Sequence, residues 1–438
     1  MADATTSSRR AHIDITPQDD AGFLARLGPG LITGAADDDP SGIATYSQVG
    51  AQFGFGMLWT MLFTFPLMAA MQEICGRLGR ITGEGIASTL RKSYPRPILI
   101  GLVSLLCLAN VFNIGADITA MGACAQLVLR GSVDAYVLLF GALSLLLQVW
   151  VPYRRYVHYL KWLTLVLFAY VATAFVIHVP WKQAIYSTVV PSVSWSKDYW
   201  MALVAVLGTT ISPYLFFWQT SQEAEEVHLH EGQEPLKKKP SQALQQFRRI
   251  AMDTRVGMAF SNIVAFFIIL TTAITLHAHG HGNINTAADA AKALQPLAGR
   301  LAFSLFALGI VGTGLLAIPV LAGSAAYAVA ETFRWHASLE SKPRQALKFY
   351  WVLVAATAIG VALTFFGLNP IRALFLSAVV NGVVAVPLMI VLMMVSENRR
   401  IVGQFRLPNY LRAFGWIATA VMLIAALAFL ATGFTGSS

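Results

Sequence analysis

The chain has 438 residues, of which 56% are hydrophobic and only 12% charged. Soluble domains carry roughly 25% charged residues, so this chain lacks the polar groups to cover one or two globular surfaces in water. A soluble enzyme, a nucleic-acid-binding protein and a disordered chain are excluded, and lipid is the remaining solvent for so much apolar surface. The net charge of +9 then reads as loop charge in a membrane protein rather than as a nucleic-acid patch.

Residues 1–27 are polar, contain acids and lack the apolar stretch of a signal peptide. They predict a cytoplasmic tail. A bilayer core takes about 20 apolar residues per helix, and eleven segments qualify: 28–50, 57–79, 98–127, 133–151, 157–179, 199–223, 252–277, 300–330, 348–367, 370–395 and 410–433. None alternates in the manner of a membrane barrel strand. The expected fold class is therefore an all-α polytopic membrane protein. With the N-terminus in the cytoplasm, 25 of the 31 Lys and Arg residues fall on the inner side. That asymmetry is what the positive-inside rule requires. The longest loop, 224–251, is mixed in charge and predicts a solvated linker.

Most segments are plain Leu/Ala/Val/Phe runs, and two are not. Segment 1 holds Asp37, Asp38 and Asp39 followed by Pro40, Ser41 and Gly42. A carboxylate in a membrane helix costs about 2.5–3.5 kcal/mol on insertion scales, so such acids point to a cation or to the water interface. Pro40 removes a helix hydrogen bond and Gly42 tolerates unwinding, and a break here frees carbonyls that can also hold a cation. Segment 6 repeats the interruption with Thr209, Thr210, Ser212, Pro213 and Tyr214, then Gln219 and Gln222. The two lie five helices apart, and five is an odd number, so a repeat of that length inverts across the membrane. Interrupted helices at matching places in inverted halves mark a transporter's midplane site.

Segment 3 places Asn110, Asn113 and Asp117 near one helix face. Asn262 and Asn381, in segments 7 and 10, are either ligands or hydrogen-bond glue between helices. His277, His279 and His281 alternate at the outer end of segment 7, where a solvated loop is the simpler expectation than metal capture. Cys75, Cys107 and Cys124 form no CxxC pair and read as packing thiols. No HExxH, GxSxG or phosphate-loop motif is present, so an enzyme is not expected.

The stretch Gly28-Pro29-Gly30 to Asp39-Pro40-Ser41-Gly42, with Ala44-Thr45 and Gln48-x-Gly50-Ala51, resembles the opening of the NRAMP divalent-metal transporters. Met71-Gln72-Glu73 with Arg77-Leu78-Gly79, and Asn369-Pro370-x-Arg372-Ala373-Leu374, are similar to that family's second and tenth helices. The resemblance implies a leucine-transporter-like fold: a first inverted five-helix repeat over 28–179, a second over 199–395, and a linker with an eleventh helix over 396–438. It implies a metal site between the broken helices, with Asp39 as central ligand and carbonyls of Ala36 and Thr209 beside it. Asp37, Asp38, Ser212, Gln219 and Asn381 are further candidate ligands. Asp117, Gly42, Tyr214 and Asn262 are expected along the pathway, with Pro40 and Pro213 at the helix breaks.

The departures carry chemistry. The family's helix-1 Asn is here Gly42, its helix-6 Met is Ser212, the following His is Tyr214, and a helix-3 Glu is Ala120. Loss of a soft thioether leaves hard oxygen ligands, which suit magnesium better than manganese or iron. The expectation is a magnesium transporter of the NRAMP-related branch, with manganese also accepted and proton coupling weak or absent. The alternative is a proton-coupled manganese or iron importer. The transported ion is the ligand and no resident cofactor is expected. Lipid is the expected surrounding partner, with no nucleic acid or obligate protein partner, and a bacterial inner membrane the expected location.

Overall fold

The computed structural model describes residues 29–151, 160, 162–229, 233–367 and 369–435. The expected tail, 1–27, and part of segment 5 lie outside the described residues. Those described residues are helical or irregular, with no strand among them, and helices fall within all eleven apolar segments.

Segment 1 is two helices, α1 (Pro29–Asp37) and α2 (Pro40–Phe53). After a tight turn come α3 (Trp59–Thr82), the short α4 (Ile86–Ser93), α5 (Arg96–Leu129) and α6 (Val133–Trp150). The segment-5 region contributes α7 (Phe168–Val176), followed by α8 (Trp181–Val189). Segment 6 is again a broken pair, α9 (Lys197–Thr210) and α10 (Pro213–Leu229). Then follow α11 (Ala243–Thr275), α12 (Ala302–Phe333), α13 (Leu347–Thr364), α14 (Pro370–Glu397) and α15 (Asn409–Thr435).

Eight helical stretches among the described residues are long and apolar enough to cross a membrane, counting α9 and α10 as one. Segments 1, 2 and 5 depart from uniform spans. The helical stretch starting at α2 and the following α3 meet the test only as a pair bent by 109°, because the chain turns at Gly54, whose φ is +56°. Segment 5 enters through a 3₁₀ stretch, Leu163–Leu167, before α7 begins.

The loop expected over 224–251 is much shorter than that. Both flanking helices run into it, α10 to Leu229 and α11 back to Ala243. It is tied down as well: Glu223, with no exposed side-chain area, pairs with Arg249 at 2.5 Å, and Leu236 N donates to Arg80 O at 3.2 Å. Helices outlast their apolar stretches here because i,i+4 backbone bonding does not need lipid. The loop is therefore shorter than expected, while Glu234, Lys237, Lys238 and Arg248 are exposed within that stretch as expected.

The breaks sit deep in the bundle. Helix α1 packs on α11, α9 on α14, and α5 on both α12 and α13. Small residues allow the closest approaches, as in other membrane helix pairs. A Cβ at Gly34 would overlap the Gly257 backbone, and one at Gly208 would overlap Ala378 and Gly382.

Candidate metal site at the paired helix breaks

Helix α1 stops at Asp37 and α2 starts at Pro40. Asp39 between them is extended, with φ −71° and ψ 169°, and acts as the N-cap of α2. Its Oδ1 accepts from Gly42 N at 2.7 Å and from Ser41 Oγ at 2.6 Å. Asp at an N-cap and Pro at the next position are both favoured there, because the carboxylate meets an orphan amide and Pro has none to lose. The other oxygen, Oδ2, accepts from Asn113 Nδ2 of α5 at 3.0 Å.

Its two neighbours face α11. Ser261 Oγ lies 2.6 Å from Asp37 Oδ2 and 2.9 Å from Asp38 Oδ1. One hydroxyl hydrogen serves one acceptor at a time, so the pair of carboxylates is under-supplied with donors. Asp37 Oδ1 and Asp38 Oδ2 have no partner among the described residues. All three aspartates are at most 1% exposed, and no described Lys or Arg forms an ion pair with any of them.

The second break comes alongside the first. Tyr214 donates its hydroxyl to Ala36 O at 3.0 Å, and a Cβ on Gly42 would lie 3.0 Å from Thr209 Oγ1. Ser212 Oγ sits 2.8 Å from Thr209 O and 3.0 Å from Gly208 O, so it caps the end of α9. The Thr209 carbonyl is therefore already engaged, by another of the candidate ligands. Pro213 begins α10 as Pro40 begins α2.

Around this pair the remaining candidates divide. Asp117 is buried, and neither carboxylate oxygen has a partner. It follows Asn113 by one helical turn, so it stands on the Asp39 side of α5. Asn381 is buried on α14 with both amide atoms open. Asn262 follows Ser261 on α11 and is only half-buried. Gln219 belongs elsewhere: it accepts from Thr33 Oγ1 at 2.5 Å, four residues and roughly 6 Å of helix rise before Asp37. There it helps hold α1 against α10. Gly30 N also donates to Asp253 Oδ2 at 2.8 Å, so α1 is fastened to both α10 and α11.

Asn110 serves packing, donating to Leu321 O at 2.9 Å and Ser324 Oγ at 2.7 Å. His277 Nδ1 lies 2.8 Å from Ala51 O and so ties α11 to α2 rather than extending into a loop. Ser261 was not singled out in the sequence, where a lone Ser in an apolar helix carries no signal. Asn113 was visible only as one of a polar trio. Among the described residues no three His, Cys, Asp or Glu side chains converge as a ready metal set. A cation here would draw on amides, hydroxyls, carbonyls and water alongside a carboxylate.

Residues 30–432 match the family described as Nramp, natural resistance-associated macrophage protein-like. The divalent metal cation transporter MntH of Klebsiella pneumoniae strain 342 is 26% identical over 412 residues, covering 91% of this chain and 92% of that protein. A manganese transporter of Eremococcus coleocola superposes with a TM-score of 0.72 at 17% identity, over 97% of this chain and 90% of that one. Mhp1, a nucleobase-cation-symport-1 family transporter, superposes at 0.58 with 12% identity, over 94% and 93%. These likenesses at low identity describe a shared fold.

Proposed function

Because the chain belongs to the Nramp family, we propose that it is a secondary transporter of divalent metal cations, working by alternating access, and not an enzyme. The finer reading is that magnesium is the main substrate, manganese is also accepted, and proton coupling is weak or absent. The setting proposed is a bacterial inner membrane, with the N-terminus in the cytoplasm. The two five-helix halves proposed are 28–179 and 199–395.

One observation carries the reading. Three buried aspartates stand at a helix break, and no described basic side chain forms an ion pair with any of them. Buried carboxylates are costly unless paired, and a visiting cation supplies the missing charge. Asp39, which accepts from Asn113, is the central ligand, with the Ala36 carbonyl three residues before it in the chain. Asp37 and Asp38 add negative field through the Ser261 corner. Asp117 draws the ion in and orients its water. Hard oxygen donors, few of them charged, suit an ion that keeps several waters, as magnesium does.

A second reading, a manganese or iron importer, is favoured by Met121. A Cβ at Gly314 would lie 2.5 Å from Met121 Sδ and 3.3 Å from Pro40 Cγ, so a thioether does stand close to the break. Soft sulfur selects manganese and iron over magnesium. Uptake into proteoliposomes separates the readings. Asp39→Ala is expected to lower magnesium uptake by about a hundredfold or more, and uptake equal to the parent's would refute the site. Met121→Leu is expected to leave magnesium uptake intact. If it abolishes manganese uptake and magnesium is not carried, the second reading holds. A pH indicator inside the vesicles is expected to show no metal-driven acidification.

A further inference from the structure

A cavity of about 330 Å³ lies away from the helix breaks, at the cytoplasmic ends of α4, α5 and α12. Arg91, Arg96, Arg334 and Tyr94 line it, with Leu99 and Phe333 as its apolar wall. We propose that this cavity binds the phosphate headgroup of an anionic membrane lipid.

The charge is one-sided. Arg96 and Arg334 are exposed and have no carboxylate partner among the described residues. Arg91 is half-buried and is held by neutral groups, the Glu331 backbone carbonyl and Ser88 Oγ. The two acids nearby are engaged elsewhere: the Glu331 carboxylate accepts from Ser88 N at 3.1 Å and Ser221 Oγ at 3.0 Å, and Glu84 pairs with Lys92 at 2.5 Å. Three guanidiniums thus share one cavity without an anion from the protein. Guanidinium forks match phosphate oxygens. Arg96 also opens the 34-residue helix α5, with no side-chain cap at its start, so the positive end of the helix adds to the field.

Position selects a lipid rather than a soluble phosphate. Ile98 and Ile100, just inside α5, are 45% and 41% exposed, and Phe333, Leu347 and Trp351 are exposed beside them. Such a belt faces acyl chains, so the cavity mouth lies at headgroup height. Phe333 and Trp335 stack with ring centroids 5.2 Å apart, in keeping with the aromatic residues that gather at membrane interfaces. Basic cavities between helices on the cytoplasmic side are suited to anionic headgroups. Arg334 is also held in the left-handed region, at φ +59°, in the terminal cap of α12. That conformation is common at a helix C-terminus.

The test is a lipid titration of the full chain in detergent, followed by native mass spectrometry. Phosphatidylglycerol is compared with phosphatidylcholine. The pocket variant is Arg96→Gln with Arg334→Asn, since Asn tolerates a positive φ. The control, Lys342→Gln with Arg344→Gln, removes the same charge from exposed positions outside the cavity. Phosphatidylglycerol is expected to bind the parent at one site more tightly than phosphatidylcholine. The pocket variant is expected to lose about thirtyfold of that affinity, near fivefold per arginine, while the control stays within about twofold. Equal weakening in both variants would reduce the effect to general surface charge and overturn the site. Equal binding of the two lipids would also overturn it. Displacement of the lipid by millimolar inorganic phosphate would assign the cavity to a soluble anion instead. Unchanged thermal stability of the pocket variant keeps misfolding out of the comparison.

Discussion

Tyr214 donates its hydroxyl to the carbonyl of Ala36, 178 residues earlier in the chain, at 3.0 Å. That bond joins the last turn of α1 to the first turn of α10, so each broken helix steadies the other where neither can bond to itself. Tyr214→Phe keeps the ring and removes the donor. It is expected to cost about 1 kcal/mol of stability and to leave uptake within about fivefold. Thermal unfolding and metal uptake, measured on the same preparation, check both.

Ser261 is the hydroxyl shared by Asp37 and Asp38. Ser261→Ala removes the one side-chain donor this corner has among the described residues. Hydrogen bonds to charged groups contribute about 1.5–3 kcal/mol, so the metal-free protein is expected to unfold at a lower temperature. Added magnesium is expected to restore more stability to the variant than to the parent. A smaller magnesium response in the variant would show that Ser261 serves packing alone.

Gly34 packs on the backbone of Gly257, and a methyl group there would overlap it. Backbone cannot rotate aside as a flexible side chain does. Gly34→Ala is therefore expected to push α1 off α11 and to open a water path beside α1. In a background lacking Cys75, Cys107 and Cys124, Thr33→Cys is expected to label faster with a water-soluble thiol reagent when Gly34→Ala is added. An unchanged labelling rate would mean that the Gly34–Gly257 contact does not control water access along α1.

Glu223, with no exposed side-chain area, pairs at 2.5 Å with the partly exposed Arg249. Arg249→Gln leaves the Glu223 carboxylate with only the more distant Arg80 charge beside it and is expected to cost about 1–3 kcal/mol. Glu223→Gln combined with Arg249→Gln is expected to recover part of that loss, since neither amide carries a charge. Equal stability of the single and double variants would remove the ion pair from the account.

Much of this was legible beforehand because lipid imposes a simple rule on sequence. Long apolar runs had to be helices, and all eleven contain one. The breaks were legible too, since Asp39-Pro40 and Ser212-Pro213 are start signals set inside apolar runs. The partners of the break residues were harder to see. Ser261 meets Asp37 only because α11 crosses α1 there, and no local pattern encodes a crossing. Gln219 looked like a ligand from its place after Pro213, yet helical rise carries it to Thr33. The 224–251 stretch is solvated as its charge suggests, but polar helix ends carry no apolar signal, so the extension of α10 to Leu229 and the start of α11 at Ala243 were not legible.

Asp39 holds the start of α2 with the carboxylate oxygen that accepts from Gly42 and Ser41. On the transport reading, an incoming cation and the first turn of a helix compete for the same lone pairs. Loading then loosens the winding of α2, and release lets it rewind. On that reading the carboxylate would be a latch as well as a ligand, converting the arrival of charge into movement of the chain.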